Sequence, residues 1–264
     1  MIKAFEKYMT EFFKEIRHIP EPLFSAIRYS MENGGKRIRP RLVFMGAELM
    51  GLDYTKVLNT ALAIEMIHTY SLIHDDMPCM DNDDMRRGKP TCHKVYGENI
   101  ALLAGDALLN MAYEILSENK DNLEEGTALK IIKEVSALAG THGMVSGQCL
   151  DLHKPKKLTE EYLEKLHSQK TGALIAASLL AGAIAGKADD KTLDRLKAYA
   201  FSIGHAFQIT DDILDNDGYV TLFGIDAAKK IAKENIDHAV GCLDTFSNNA
   251  ELVAFAKEIL LRKK

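Results

Sequence analysis

The 264-residue sequence has no tryptophan, only 7% aromatic residues, six prolines and four cysteines. Each scarcity excludes something. Cys79, Cys92, Cys149 and Cys242 are scattered without a CxxC spacing, which argues against a zinc site or a disulfide framework and for a reducing, cytoplasmic setting. The stretch from Met1 to Arg17 mixes Lys with Glu and has no apolar signal-peptide core. The longest run without charge, Thr171 to Gly186, is shorter than the ~20 residues of a bilayer span. No membrane span is therefore expected, and this Ala- and Gly-rich run reads as a buried helix packed closely on its neighbours. A net charge of −5 argues against general nucleic-acid binding.

What remains is helical periodicity. Without a hairpin signal and with few prolines, apolar residues recur at 3.6-residue spacing through most of the chain. The pattern predicts helices over 2–17, 20–33, 38–50, 55–77, 98–118, 122–140, 142–152, 159–185, 189–216 and 225–242, with a short one near 249–262. Thr159 followed by Glu160-Glu161 is a good N-cap with acids in the first turn. No linker divides the chain, so the expectation is all-α: one helical-bundle domain, residues 1–264, around a central cavity.

Two acidic clusters end long apolar helices. Asp75-Asp76-Met77-Pro78-Cys79-Met80-Asp81 closes the 55–77 helix, and Asp211-Asp212-Ile213-Leu214-Asp215 closes the 189–216 helix. A helix C-terminus is electronegative and repels carboxylates, and like charges at i,i+4 add to the cost. A chain that does this twice has a cation to neutralise them. Oxygen-only ligands with no His/Cys pattern favour a hard ion, Mg²⁺, bridging to phosphate. His68, Ser71 and Asp75 share a helix face at i, i+3, i+7, and Pro78 turns the chain so that Asp81 comes back toward Asp75 and Asp76. Asp83, Asp84, Arg86, Arg87 and Lys89 follow at once. Carboxylates beside guanidinium groups suit a diphosphate, held by metal on one side and by charge-assisted hydrogen bonds on the other. In the second cluster Gln208, Asp211, Asp212 and Asp215 follow i, i+3, i+4, i+7 spacing on one face. Gly34-Gly35-Lys36-Arg37-Ile38-Arg39-Pro40-Arg41 reads as a phosphate grip at a helix start or a basic surface turn. Lys170-Thr171-Gly172 interrupts an apolar helix with groups that suit a second phosphate, and Gln148 and Asp151 are weaker candidates for the same cavity.

The run from Glu65 to Gly97, with Phe207 to Asp215 and Gly34 to Pro40, resembles the trans-prenyl diphosphate synthases, the isoprenoid chain-elongating enzymes. The likeness runs from about residue 20 to 260, and the paired motifs with their flanks are specific to that family. It implies a helical fold around a central cavity, a homodimer, and condensation of isopentenyl diphosphate with an allylic diphosphate, using roughly three Mg²⁺ ions of the oxygen-liganded kind. Carried over residue by residue, Asp75 and Asp81 bind metal from one side and Asp211 from the other, with Asp76 and Asp215 in support. Arg86, Lys170, Thr171 and Gln208 hold the allylic diphosphate. Lys36, Arg39, His68 and Arg87 hold isopentenyl diphosphate. Asp75, Asp81, Arg86 and Lys170 are the expected catalytic groups. The allylic C–O bond ionises, the isopentenyl double bond attacks, and the departing diphosphate takes the proton. No protein nucleophile is needed, and no nucleophile motif is present.

Met66, Tyr70 and Ser71 lie on the helix beneath Asp75. Tyr70 is five residues back, ~7.5 Å along the axis, and resembles the aromatic floor of farnesyl synthases. The expected product is C15, with geranylgeranyl diphosphate (C20) as the alternative. A class I terpene cyclase fits less well because the second motif is an Asp-only DDxxD type. A non-catalytic subunit is disfavoured by two intact motifs, and an HD-type phosphohydrolase by the positions of His93, His142 and His153. One departure stands out. Only Asn216, Asp217 and Gly218 separate Asp215 from Tyr219, where the family has a longer loop bearing another Lys. Either that loop is deleted, or a mobile segment is missing from the numbering; the mobility of such loops favours the second.

Overall fold

A computed structural model describes residues 1–262. The helices are α1 (Ile2–Glu15), α2 (Leu23–Met31), α3 (Ile38–Leu49), α4 (Leu58–Asp75), α5 (Cys92–Tyr96), α6 (Glu98–Glu118), α7 (Glu125–Ala139), α8 (Met144–Leu152), α9 (Glu160–His167), α10 (Ala173–Ala185), α11 (Asp190–Asp215), α12 (Tyr219–Phe223), α13 (Ile225–Cys242) and α14 (Ala250–Ile259). The all-α expectation holds. At the centre is α10, all thirteen residues of which are buried. It packs on α3, α7 and α11, while α4 packs on α6 and α11 on α13. The small residues of α10 allow backbone contact with α3. A Cβ on Gly182 would lie 1.9 Å from the Val43 carbonyl oxygen, and one on Gly46 2.3 Å from that of Leu179. Only glycine permits helices to approach so closely.

Several elements depart from the expected pattern. The 55–77 helix begins as a separate tight turn, Tyr54–Val57, whose Asp53 carboxylate accepts from the Thr55 N–H at 2.9 Å. The regular helix then stops at Asp75. The 159–185 helix is not continuous: Ser168–Gly172 forms a wide π-type turn between α9 and α10. Such turns displace side chains from the regular register and recur at functional sites, and this one carries Lys170 and Thr171.

A small hairpin also exists where no strand was expected. Met85–Arg86 pairs antiparallel with Lys89–Pro90. Its turn residues Arg87 and Gly88 have φ of 53° and 76°, the paired positive values of the hairpin-favoured I′ turn. Holding the non-glycine Arg87 there costs roughly 1–2 kcal/mol. The usual Asn-Gly signal is absent, and two-residue strands are too short to show alternation.

In the structure Asn216, Asp217 and Gly218 form a short turn that joins α11 to α12. Asn216 ends α11 in the left-handed region at φ 58°, and the Asp217 N–H donates to the Asp212 carbonyl at 3.1 Å.

By length and composition α6 could cross a bilayer: an 18-residue window has mean hydropathy 1.3. It instead packs on α2, α4, α5 and α7 and carries the exposed polar residues Asp106 and Asn110.

Candidate active site

The first acidic helix end folds back on itself, as its proline suggested. The Asp81 N–H donates to the Asp75 carbonyl at 2.8 Å, which returns Asp81 to the end of α4. Asp76 is buried and takes the Arg86 guanidinium at 2.6 Å. Arg86 reaches it because the hairpin turns back over α4. Asp84 is committed elsewhere, paired with Lys94 at 2.7 Å. Burial pushes the Asp75 carboxyl up to about 6; the Lys170 charge opposes this and the Asp81 charge adds to it.

Lys170 is the hinge between the two acidic ends. Its charge acts on Asp75, while its Nζ lies 2.5 Å from Asp151 Oδ2. Asp151 also pairs with Lys154 at 2.7 Å. Lys170, Asp151, Lys154, Gln208, His167 and Asp212 line one cavity of about 140 Å³. Gln148, one turn from Asp151, has both amide atoms buried without a partner among the described residues. A bound phosphate oxygen would accept from the Lys170 and Lys154 ammonium groups and from the Gln148 Nε2–H, whereas the Gln148 Oε1 needs a donor. Sequence reasoning ranked Asp151 and Gln148 low and left out Lys154; the basic run at 154–157 was the available signal.

The second acidic helix end does not present one face. Asp211 turns to Arg262 at 3.0 Å, whose guanidinium lies 3.7 Å over the Phe207 ring. Asp212 turns the other way, accepting from the Tyr219 N–H at 2.9 Å, and it is Asp212 rather than Asp211 that shares the cavity with Lys170 and Gln208. Burial raises Asp212 to about 6; the Tyr219 N–H opposes this, and Asp217 and Asp211 add to it. Asp215 is the last residue of α11.

The basic motif divides as well. Arg37 belongs to the core: its guanidinium is 2.7 Å from Glu65 and donates to the Met31 carbonyl at 2.8 Å. Arg41 pairs with Glu258 at 2.8 Å. Arg39 keeps a buried Nε without a partner among the described residues, and Arg87 donates to the Gly34 carbonyl, which ties the hairpin to the Gly-Gly turn. Arg37, Arg39, Arg86 and Arg87 all bring charge to bear on His68. Burial first, then the charges of Arg39, Arg87, Arg86 and Arg37, hold its imidazole well below the usual histidine range. A neutral imidazole among guanidinium groups suits an anion. Lys36 is exposed nearby, and its charge reaches Asp211. Thr171 lies in the π-type turn beside Lys170.

Beneath Asp75, Met66 is fully buried and Tyr70 nearly so, its ring edge-on to His74 at 5.8 Å. Burial lifts the Tyr70 hydroxyl to about 12. The Ser71 hydroxyl is spent on its own helix, donating to the His68 carbonyl at 2.9 Å.

Among the described residues no three acidic, His or Cys side chains gather into a closed metal cage. The donor set nevertheless fits Mg²⁺, which keeps waters and is commonly held by one or two carboxylates plus phosphate oxygens. Asp75 and Asp81 on one side, with Asp212 and its neighbours on the other, would hold it. Two carboxylates kept protonated to about pH 6 by burial are ones a cation would relieve.

A family model described as polyprenyl synthetase matches residues 20–235. A farnesyl diphosphate synthase from Geobacillus stearothermophilus is 49% identical over 201 residues, 75% of this chain and 68% of that protein. A geranylgeranyl diphosphate synthase from Cyanophora paradoxa is 48% identical over 198 residues, 74% of this chain and 66% of that protein. The matched region thus spans about two thirds of the length of these curated relatives. The crystal structure of a geranyltransferase from Legionella pneumophila superposes with a TM-score of 0.92 at 36% identity, covering 99% of this chain and 95% of that one.

Proposed function

The chain belongs to the polyprenyl synthetase family, and on that premise we propose that it condenses isopentenyl diphosphate with dimethylallyl or geranyl diphosphate to give farnesyl diphosphate. The observation that carries this reading is the meeting of Lys170 with both acidic helix ends: its charge acts on Asp75 and its amine lines the cavity of Asp212 and Gln208. Lys170 and Gln208 hold the allylic diphosphate there, with Arg86 from the first acidic end, and Arg39, Arg87, Lys36 and His68 hold the second diphosphate. When bound, Mg²⁺ supplies charge neutralisation for the leaving diphosphate. The protein's part is to aim guanidinium and ammonium groups at oxygens whose charge grows as the allylic C–O bond breaks. The apolar face of α4 below keeps water from the cation. The isopentenyl double bond then forms the new C–C bond, and a proton leaves to the diphosphate to restore a double bond.

The C15 product rests on Tyr70. Tyr70→Ala is expected to lengthen the main product from C15 to C20, read by chromatography of the dephosphorylated alcohols; an unchanged product would remove Tyr70 as the floor. Geranylgeranyl diphosphate is the second reading, favoured by a geranylgeranyl synthase nearly as similar as the farnesyl synthase, 48% against 49%. The deciding experiment incubates the protein with isopentenyl diphosphate, Mg²⁺ and C5, C10 or C15 allylic diphosphates. Condensation with C5 and C10 that stops at C15 supports the proposal; no condensation with any primer ends it. The homodimer is part of the same proposal, supported by the outward Leu102 and Leu103 of α6, 46% and 49% exposed.

The pH profile follows from the two raised carboxyls. Asp75 and Asp212 must be ionised to hold a cation, and each takes up a proton as pH falls through about 6. At sub-saturating Mg²⁺, kcat/KM is expected to fall below pH 6 by up to ~10-fold per unit for each carboxylate. A flat profile from pH 5 to 8 would contradict the assignment.

A further inference from the structure

The rings of His167, His205 and Tyr219 cluster behind Asp212, and the condensation described above gives them no task. Tyr219 is fully buried. Its ring lies 5.3 Å from that of His205 and 5.7 Å from that of His167, and its hydroxyl shares a 2.9 Å hydrogen bond with His205 Nε2. At the other end of the same residue, the main-chain N–H donates to Asp212 Oδ2 at 2.9 Å. The preceding turn lies directly on this carboxylate: Gly218 has φ 49°, and a Cβ there would be 2.2 Å from the same oxygen. His167 Nε2 stands 3.9 Å away. One carboxylate oxygen is thus held by the turn, and Asp212 also lines the cavity with Lys170 and Gln208.

We propose that Tyr219 is a positioning residue for Asp212. Anchored through its hydroxyl to His205, it fixes the N–H that holds Oδ2 and leaves the other oxygen for a diphosphate-bound cation. The three-residue turn presets the second acidic end. This inference rests on the diphosphate reading above and assigns a task that reading leaves open. Groups that orient a metal-holding side chain typically cost 10–100-fold in affinity when altered.

The test is Mn²⁺ binding in the presence of inorganic diphosphate, followed by electron paramagnetic resonance. Tyr219→Phe and His205→Gln are each expected to weaken Mn²⁺ binding by about 10-fold. Tyr199→Phe is the control: its equally buried hydroxyl, also on an α11-core contact, donates to the Leu252 carbonyl at 2.7 Å, yet it should leave Mn²⁺ binding at the wild-type level. In turnover, Tyr219→Phe should raise KM for the allylic diphosphate and leave that for isopentenyl diphosphate unchanged. Wild-type Mn²⁺ binding by Tyr219→Phe, or equal weakening by Tyr199→Phe, overturns the inference. If Tyr219→Phe does not fold, His205→Gln decides. A wild-type protein that binds no Mn²⁺ with diphosphate overturns the functional reading as well.

Discussion

Asp75→Asn is expected to lower kcat/KM by roughly 10³-fold or more while making the metal-free protein slightly more stable at pH 7.5. The two halves have one cause. Asp75 is partly buried at the electronegative end of α4, and burial is the largest influence on its carboxyl, raising it to about 6. The Asp81 charge adds to this and Lys170 only partly offsets it. Ionised Asp75 is therefore a liability to the empty fold and an asset only when a cation and diphosphate arrive. Asn keeps the shape and drops the charge. Losing one preorganised electrostatic group at a reacting centre typically costs 10²–10³-fold, and losing cation binding with it adds to that. The sign of the stability effect follows from proton linkage. The folded-state pKa lies above the unfolded value of ~3.9, so the contribution of Asp75 to wild-type stability is fully present below ~4 and lost as pH rises through about 6. The advantage of Asp75→Asn should thus be visible at pH 7.5 and vanish near pH 4. Melting temperatures of both proteins at the two pH values, without metal, measure it. A variant that melts lower than wild type at pH 7.5 would mean that the Lys170 attraction outweighs burial. A loss of activity below tenfold would remove Asp75 from the diphosphate site.

The acidic helix ends were legible because they break a local rule. Carboxylates at a helix C-terminus oppose the macrodipole, and such a conflict is visible in sequence without knowledge of any contact. The buried α10 was legible for the opposite reason, an uninterrupted run of small and apolar residues with no polar face to expose. What escaped is what depends on residues far apart or on a change of register. Arg37 looked like one more cation in a basic run, and its partner Glu65 is 28 positions away. Arg262 meets Asp211 across more than fifty residues. The π-type turn at Ser168–Gly172 changes helical phase within an apolar stretch where periodicity is hard to read. The divergence of Asp211 from Asp212 is set by the Tyr219 N–H and by Arg262, not by their spacing on α11.

Glu65→Gln is expected to destabilise the fold by about 3–5 kcal/mol, the cost of leaving a buried charge without its counter-ion. Arg37 and Glu65 have side chains 1% and 2% exposed, and their charged atoms meet at 2.7 Å. Among the described residues one other strong partner, the Met31 carbonyl at 2.8 Å, serves the guanidinium; Glu6 is 3.7 Å away. Arg37 Nε and Glu65 Oε2 have no hydrogen-bond partner among the described residues, so the pair has little in reserve. At ~2–4 °C per kcal/mol for a domain of this size, the melting temperature should drop by about 6–20 °C. Arg37→Met/Glu65→Leu should recover most of that loss, because apolar pairs of similar volume replace buried ion pairs at little cost. Function should not recover with it. Arg37 stands at φ 48° at the start of α3, between Lys36 and Arg39, and its bond to Glu65 ties the Gly-Gly turn to α4. The doubly substituted protein is therefore expected to fold, with KM for isopentenyl diphosphate raised by about tenfold through misplaced cations. A Glu65→Gln protein melting within ~2 °C of wild type would show that the pair is spectator charge. A double variant with wild-type KM would show that the turn holds its place without it.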